Sequence, residues 1–291
     1  MRFAKRNFRL FVGLIAAVLC LGGCIQPEPD GTENESATQP NFEQVTVEHY
    51  YETATYAYAT EVDEGVLATG LNKAYLVLAN KNYVLGEEYE PEELVTLPSK
   101  WTTYSMKLDL RAANALIEMM EEMTAAGIDD TYVTSAYRSY TRQQELFDGY
   151  KVKEMNGFST EAYALLGYEY IYSHYIANQM TGLTPADAEK VVLSYSAAPG
   201  TSEHQTGLCV DFITQSMAGV LDVRFEDTEA FAWLSQNAYK FGFILRYPEG
   251  KEETTGYSYE PWHYRFVGRE AATDIYYANL TLEEYLGAVG E

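Results

Sequence analysis

The chain has 291 residues, 47% hydrophobic and 14% aromatic, enough for one sizeable packed domain with an N-terminal extension. Its formal net charge of −23 at pH 7 excludes nucleic-acid binding through clustered cations and adhesion to anionic lipid through a basic patch, and fits a well-solvated exported protein. Its 26 tyrosines would suit a wet groove touching peptide or sugar, although half-buried amphipathic packing accounts for them more simply.

The first residues read as a targeting segment. Arg2, Lys5, Arg6 and Arg9 precede an apolar run from Leu10 to Leu21, the length of a signal sequence and short for a spanning helix. The run ends in Leu21-Gly22-Gly23-Cys24, which resembles the lipobox of bacterial lipoproteins. Residues 1–23 are therefore expected to be a lipoprotein signal peptide, with Cys24 lipidated and holding the chain to the membrane. Ordinary signal-peptidase cleavage and retention as an anchor are the alternatives. Of the three cysteines, Cys20 would leave and Cys24 would be acylated, so Cys209 stands alone and no intramolecular disulfide is expected.

Residues 24–45 are polar and poor in apolar side chains, which predicts a disordered tether. Residues 46–100 read as an N-terminal brace, with a strand-like run at Ala74–Ala79, ahead of a main domain over 101–291. Met106 to Ala126 carries Leu108, Ala112, Leu116, Met119, Met120 and Met123 at helical spacing, a core stripe stopped by Gly127. Thr131–Ala136 alternates as a strand that delivers Tyr137-Arg138, and Thr141–Tyr150 reads as a helix. Residues 151–195 look like an insertion able to border the functional site, with one Tyr-rich helix over Ala162–Met180 and a second starting at Thr184-Pro185. Leu208–Ile213, Phe243–Leu245 and Trp262–Val267 read as strands, Thr228–Phe241 as an amphipathic helix, Gly250–Gly256 as a polar loop, and two short helices close the chain. This alternation, without Gly-rich phosphate loops, predicts an α+β fold with a small mostly antiparallel sheet flanked by helices.

Three distant segments carry chemistry. A hydrolytic zinc site needs about three N or O ligands and an open position. His204, Asp211 and His263 offer two imidazoles and a carboxylate, provided Gly207 permits the turn between the first two. Glu260 is placed to act as a base, and Arg138 as a fixed cation for an anionic substrate or a developing oxyanion, a structural salt bridge being its alternative. Cys209 shares a strand face with Asp211, which makes it a small buried hydrophobe or a fourth soft ligand. His49 and His174 have no partner at ligand spacing and read as surface or packing residues. There is no His-Glu-x-x-His and no Ser-x-x-Lys. A Ser202–His204–Asp211 triad lacks the Gly-x-Ser-x-Gly elbow that would support it.

At Ser135-Ala136-Tyr137-Arg138-Ser139 with Gln143, at Pro199 to Gly207 through Asp211, at Ile244 to Pro248 with Gly250-Lys251-Glu252, and at Tyr259 to Tyr264, the chain resembles the bacterial D-alanyl-D-alanine carboxypeptidases of the VanY type. The resemblance runs from about Leu76 to Leu286; Cys209 stands where that family commonly has Ala. It implies a D,D-peptidase/hedgehog-like fold with the site in a cleft and one zinc ion on His204, Asp211 and His263. It further implies Glu260 as base, and Arg138, Gln143, Ser202 and Tyr247 around the terminal D-alanine or its carboxylate. The expected activity is removal of D-alanine from peptidoglycan stem peptides by a lipid-anchored monomer outside the membrane. An L,D-carboxypeptidase acting on tetrapeptide stems and a non-catalytic wall-binding protein are the alternatives.

Overall fold

The computed structural model describes residues 49–289 except residue 69; the segments expected to be a signal peptide and a tether, and the expected lipidation site Cys24, lie outside the described residues. In chain order the elements are α1 (Glu64–Leu67), β1 (Leu94–Thr96), β2 (Lys107–Asp109), α2 (Leu110–Ala125), β3 (Thr131–Ser135), α3 (Tyr140–Met155), α4 (Thr160–Leu166), α5 (Tyr168–His174) and α6 (Pro185–Tyr195). They continue with β4 (Cys209–Thr214), α7 (Glu229–Asn237), β5 (Phe243–Leu245), α8 (Glu252–Thr255), β6 (His263–Phe266), α9 (Arg269–Ala278) and α10 (Leu282–Val289). β1 and β2 form a two-stranded antiparallel ribbon, and the main sheet has the order β3-β4-β6-β5 with every pair antiparallel. The expected α+β architecture is the one observed.

Strand alternation gives this sheet two unlike faces. Val210 and Phe212 of β4, Tyr264 and Phe266 of β6 and Phe243 of β5 join the main core, together with the buried stripe Ala112, Leu116, Met119, Met120 and Met123 of α2. Burying the Val, Leu, Met and Phe side chains among these stabilises the fold by about 1.5–3 kcal/mol each. On the opposite face, Cys209 and Asp211 stand across from Arg265 and His263. A β-bulge between Val133 and Ser135 lets β3 serve both faces: Val133 pairs with Phe212 over the core, whereas Ser135 pairs with Asp211 on the polar side.

Several elements differ from the sequence expectation for local reasons. Met106–Ala126 is not one helix: β2 occupies its start, and the Asp109 carboxylate, accepting from the backbone N–H of Arg111 and Ala112, caps α2 one residue later. Ala74–Ala79 is not a strand, because a 3-10 turn covers Lys73–Tyr75 and the carbonyls of Tyr75 and Val77 accept from the Arg265 guanidinium instead of a neighbouring strand. The Tyr-rich helix is broken at Gly167, whose φ of 82° ends α4 and starts α5. The loop 250–256 contains the short α8, and the Thr228–Phe241 helix tightens to a 3-10 turn over Ala238–Phe241. Thr184 caps α6 with Pro185 at its first position, as its sequence indicates. The segment 151–195 holds a small core of its own, formed by Ala162, Ile171, Tyr175, Leu183, Ala188 and Val191.

The polar face is held by a buried network of charges. Glu203, Arg246 and Arg265 are fully buried, and Glu203 Oε1 accepts from Arg246 Nε and Arg265 Nη1, both at 2.7 Å. Arg246 also forms a two-pronged pair with Glu283 of α10, at 2.8 and 2.6 Å, and Asn80 Nδ2 donates to Glu283 Oε1 at 3.0 Å. Brace, sheet and C-terminal helix thus meet at one set of ions. Burial opposes ionisation of Glu203, but the two guanidiniums outweigh it and hold its carboxyl far below the usual carboxylate range. A depressed folded-state pKa stabilises the fold above the unfolded carboxyl pKa of about 4.3, and the effect fades as pH falls below that value. Removing one member of such a set leaves uncompensated buried charge. Glu203→Ala is therefore expected to lower the unfolding free energy by about 3–5 kcal/mol at pH 7. The gap to wild type should narrow below pH 4, as checked by urea unfolding of both proteins across that range.

Candidate active site

His204 lies on a 3-10 turn over Glu203–Thr206 that closes at Gly207, where a φ of 66° reverses the chain into β4. A side chain at Gly207 would meet Pro91 and Leu94 of the brace at 2.9 and 3.1 Å, so glycine is required here by conformation and by space. The reversal brings His204 Nε2 to 3.1 Å from Asp211 Oδ2. His263, paired in register with Asp211 across the sheet, brings its Nδ1 to 3.0 Å from Asp211 Oδ1. All three side chains are buried, and the two imidazole rings stand edge to face with centroids 5.2 Å apart.

The far nitrogen of His204 is hydrogen-bonded, and that of His263 faces a carboxylate without a hydrogen bond. His204 Nδ1 donates to the Ala136 carbonyl at 2.7 Å, with Ser135 Oγ at 3.4 Å, which leaves Nε2 facing Asp211. His263 Nε2 faces Glu203 Oε2 at 3.4 Å, so the charge network described above sits directly behind this ring. A carboxylate or carbonyl on the outer nitrogen fixes ring orientation and tautomer and makes the inner nitrogen a better donor to a cation.

Glu260 enters through a tight turn in which its backbone carbonyl accepts from the His263 N–H at 3.1 Å. This places Oε2 at 3.5 Å from His263 Nδ1, on the same side as Asp211, with 26% of the side chain exposed. Arg138 is tied to the same turn: its backbone N–H donates to the His204 carbonyl at 3.0 Å, and Nη2 reaches Ser202 Oγ at 3.5 Å. Its Nε is buried without a partner, and among the described residues no carboxylate forms an ion pair with it, contrary to the salt-bridge alternative. Gln143 donates to the Ala197 carbonyl at 2.7 Å while its Oε1 is buried and unpaired. Tyr247 is buried against His263 and Tyr257, with ring centroids 4.9 Å from each. His49 instead contacts Asp274 at 3.0 Å and His174 stacks on Tyr170 at 4.0 Å, the packing roles their sequence contexts suggest.

The VanY family of D-alanyl-D-alanine carboxypeptidases matches residues 105–269, a span that contains every one of these site residues. The chain belongs to this family. It is 35% identical to a D-alanyl-D-alanine carboxypeptidase of Enterococcus faecalis, over 78% of this chain and 73% of that protein. Among solved structures, it resembles the LD-carboxypeptidase LdcB with a TM-score of 0.55 and 36% identity, covering 72% of this chain and 83% of that one. It resembles a mutant of the vancomycin-resistance D,D-pentapeptidase VanY in complex with Zn(II) with a TM-score of 0.54 and 34% identity, covering 73% and 98%.

In this VanY-family chain the donor set fits a cation. Burial opposes ionisation of Asp211, yet the two imidazoles hold its carboxyl far below the usual range. Burial and Arg138 disfavour charge on His204, yet Cys209 and Asp211 raise it to about 9, and His263 is raised in the same way by Cys209, Asp211 and Glu203. Groups that pull protons onto two buried imidazoles create a place for positive charge. Asp211 Oδ1 is buried 3.0 Å from His263 Nδ1 and makes no hydrogen bond among the described residues, a state that a metal ion between the two would complete.

The sequence pointed to the carboxylate and imidazole ligands, the base and the cation but gave no role to Glu203, Arg246 or Arg265. The available signal was the pair of arginines inside otherwise apolar strand sequences, since buried guanidiniums demand a carboxylate.

Burial raises the Glu260 carboxyl to about 7, with Asp211 adding to the rise and the imidazoles opposing it. A carboxyl whose folded pKa is raised does not affect stability below its unfolded pKa of about 4.3, and costs stability increasingly up to its folded value. In the metal-free protein, Glu260→Gln should therefore raise the unfolding free energy at pH 8 by on the order of 2 kcal/mol and change it little at pH 4. Thermal melts in chelator at both pH values check this.

Proposed function

We propose that this chain is a zinc-dependent D,D-carboxypeptidase that removes the terminal D-alanine from peptidoglycan stem peptides. The observation that carries the reading is the convergence of His204, Asp211 and His263, with Glu260 beside His263 and Arg138 without an ion-pair partner among the described residues. One zinc ion would be held by the two inner imidazole nitrogens and the Asp211 carboxylate. When bound, it supplies Lewis-acid polarisation of the scissile carbonyl and makes water acidic enough to react near neutral pH.

The remaining steps belong to the protein. Arg138 offers a planar fork of donors that matches the free C-terminal carboxylate, and Gln143, Ser202 and Tyr247 surround the same end of the substrate. Glu260 takes the proton released by the attacking water and hands it to the departing amine of D-alanine, a shuttle suited to a carboxyl whose pKa lies near the working pH. Glu203, through His263 Nε2, keeps that ring turned towards the metal. The presence of both base and ligands favours an enzyme over a wall-binding protein that had discarded its chemistry. The N-terminal sequence supports a lipid anchor at Cys24 that holds the domain outside the membrane, facing the cell wall.

The similarity to an LD-carboxypeptidase supports a second reading, hydrolysis of an L,D bond in tetrapeptide stems. Mass spectrometry of muropeptides incubated with the protein separates the two. Loss of one D-alanine from pentapeptide stems, abolished by chelator and restored by zinc, is expected. Loss from tetrapeptide alone would assign the L,D activity, and loss from neither would remove the carboxypeptidase reading.

Arg138 is tested by changing both partners. Arg138→Lys keeps the charge but loses the two-pronged geometry, so kcat/KM for a free-acid stem peptide should fall by at least ~10-fold, the scale of one charge-assisted hydrogen bond, with zinc content unchanged. The amidated peptide should be a poor substrate for wild type and lose much of that disadvantage in the variant. Equal rates on acid and amide with wild type would assign Arg138 to the oxyanion or the fold.

A further inference from the structure

The proposed ligand set of two imidazoles and a carboxylate leaves one buried donor unexplained. Cys209 is fully buried, and among the described residues it is the free cysteine. Its chain neighbours Leu208 and Val210 both belong to the main hydrophobic core, but Cys209 belongs to none of the three apolar clusters. Pairing explains this: Cys209 stands two residues before Asp211 on β4 and opposite Arg265 on β6, so its side chain lies on the polar face of the sheet. There the Cys209 Sγ and one ligand nitrogen from each of His204 and His263 all lie within 4.8 Å of one another. Asp211 adjoins the two imidazoles of this group, with Oδ2 3.1 Å from His204 Nε2 and Oδ1 3.0 Å from His263 Nδ1.

A thiol used only as filler packs among aliphatic side chains. This one faces two imidazoles, the groups that bind borderline-soft divalent ions together with thiolates. We propose that Cys209 is a further ligand of the ion held by His204, Asp211 and His263. The inference rests on the metal reading above and adds a soft fourth donor to it. A thiolate in the set makes the ion harder to lose and shifts preference towards softer metals. Because four protein donors fill a tetrahedral shell, solvent and substrate would have to enter through a fifth position or by displacing one donor.

The test is the electronic spectrum of the full chain, stripped of metal and reloaded with Co(II), beside Cys209→Ala and the near-isosteric Cys209→Ser. Wild type should show visible ligand-field bands and a near-ultraviolet thiolate-to-cobalt charge-transfer band. Both variants should keep the visible bands and lose the charge-transfer band. Their zinc affinity should fall by at least ~10-fold, the scale lost when even an outer partner of a ligand is removed. Visible bands without a charge-transfer band in wild type would overturn ligation by Cys209 and leave the other three ligands standing. A charge-transfer band that survives in both variants would assign the thiolate to another cysteine and also overturn the proposal. Failure of wild type to bind Co(II) or zinc at all would overturn the metal reading itself.

Discussion

The site depends on one buried carboxylate. Glu203 binds two guanidiniums through one oxygen and faces the outer nitrogen of His263 through the other. In water each of these pairs would contribute little, but with every member excluded from solvent the geometry of one constrains all the others. Arg265 anchors β6 and the brace carbonyls of Tyr75 and Val77, and Arg246 anchors the end of β5 and α10 through Glu283. The orientation of a single imidazole is thereby tied to the packing of the whole domain.

Around this centre, the sheet separates stability from chemistry. Side chains of one parity on β4 and β6 enter the apolar core, and those of the other parity build the site, so a one-residue slip of register would exchange the two sets. The bulge in β3 and the left-handed Gly207 allow His204 and Ser135 to reach the polar face without disturbing that register. Glu260 and Arg138 sit at chain turns beside this rigid frame. Among the described residues, Arg138, Gln143, Glu203, Asp211 and His263 each carry a buried side-chain polar atom without a hydrogen-bond partner. Unsatisfied groups of this kind cost stability and are retained where a ligand completes them.

Much of this was legible in the sequence, because the motifs around Arg138, His204, Asp211 and His263 carry residue types that few structural roles require together. The strands β3 to β6 and the Thr184 cap were legible from alternation and turn chemistry. The run Ala74–Ala79 was not, since an apolar sequence with strand-like composition satisfies its carbonyls through the Arg265 side chain, a contact with no local signature. The break at Gly167 was visible as a glycine, but a helical pattern on both sides concealed it. The charge network was hidden for a related reason. Glu203, Arg246, Arg265 and Glu283 are distant in sequence, and each alone resembles an ordinary surface residue until the fold buries all four.

The central claim is that His204, Asp211 and His263 form a single metal site bordered by Glu260 and Arg138. Crystals of the zinc-loaded protein, measured at wavelengths on either side of the zinc absorption edge, test it most directly. The account predicts one anomalous peak, within bonding distance of His204 Nε2, His263 Nδ1 and Asp211. A peak elsewhere, or a fully loaded protein with no peak between these three residues, would contradict it.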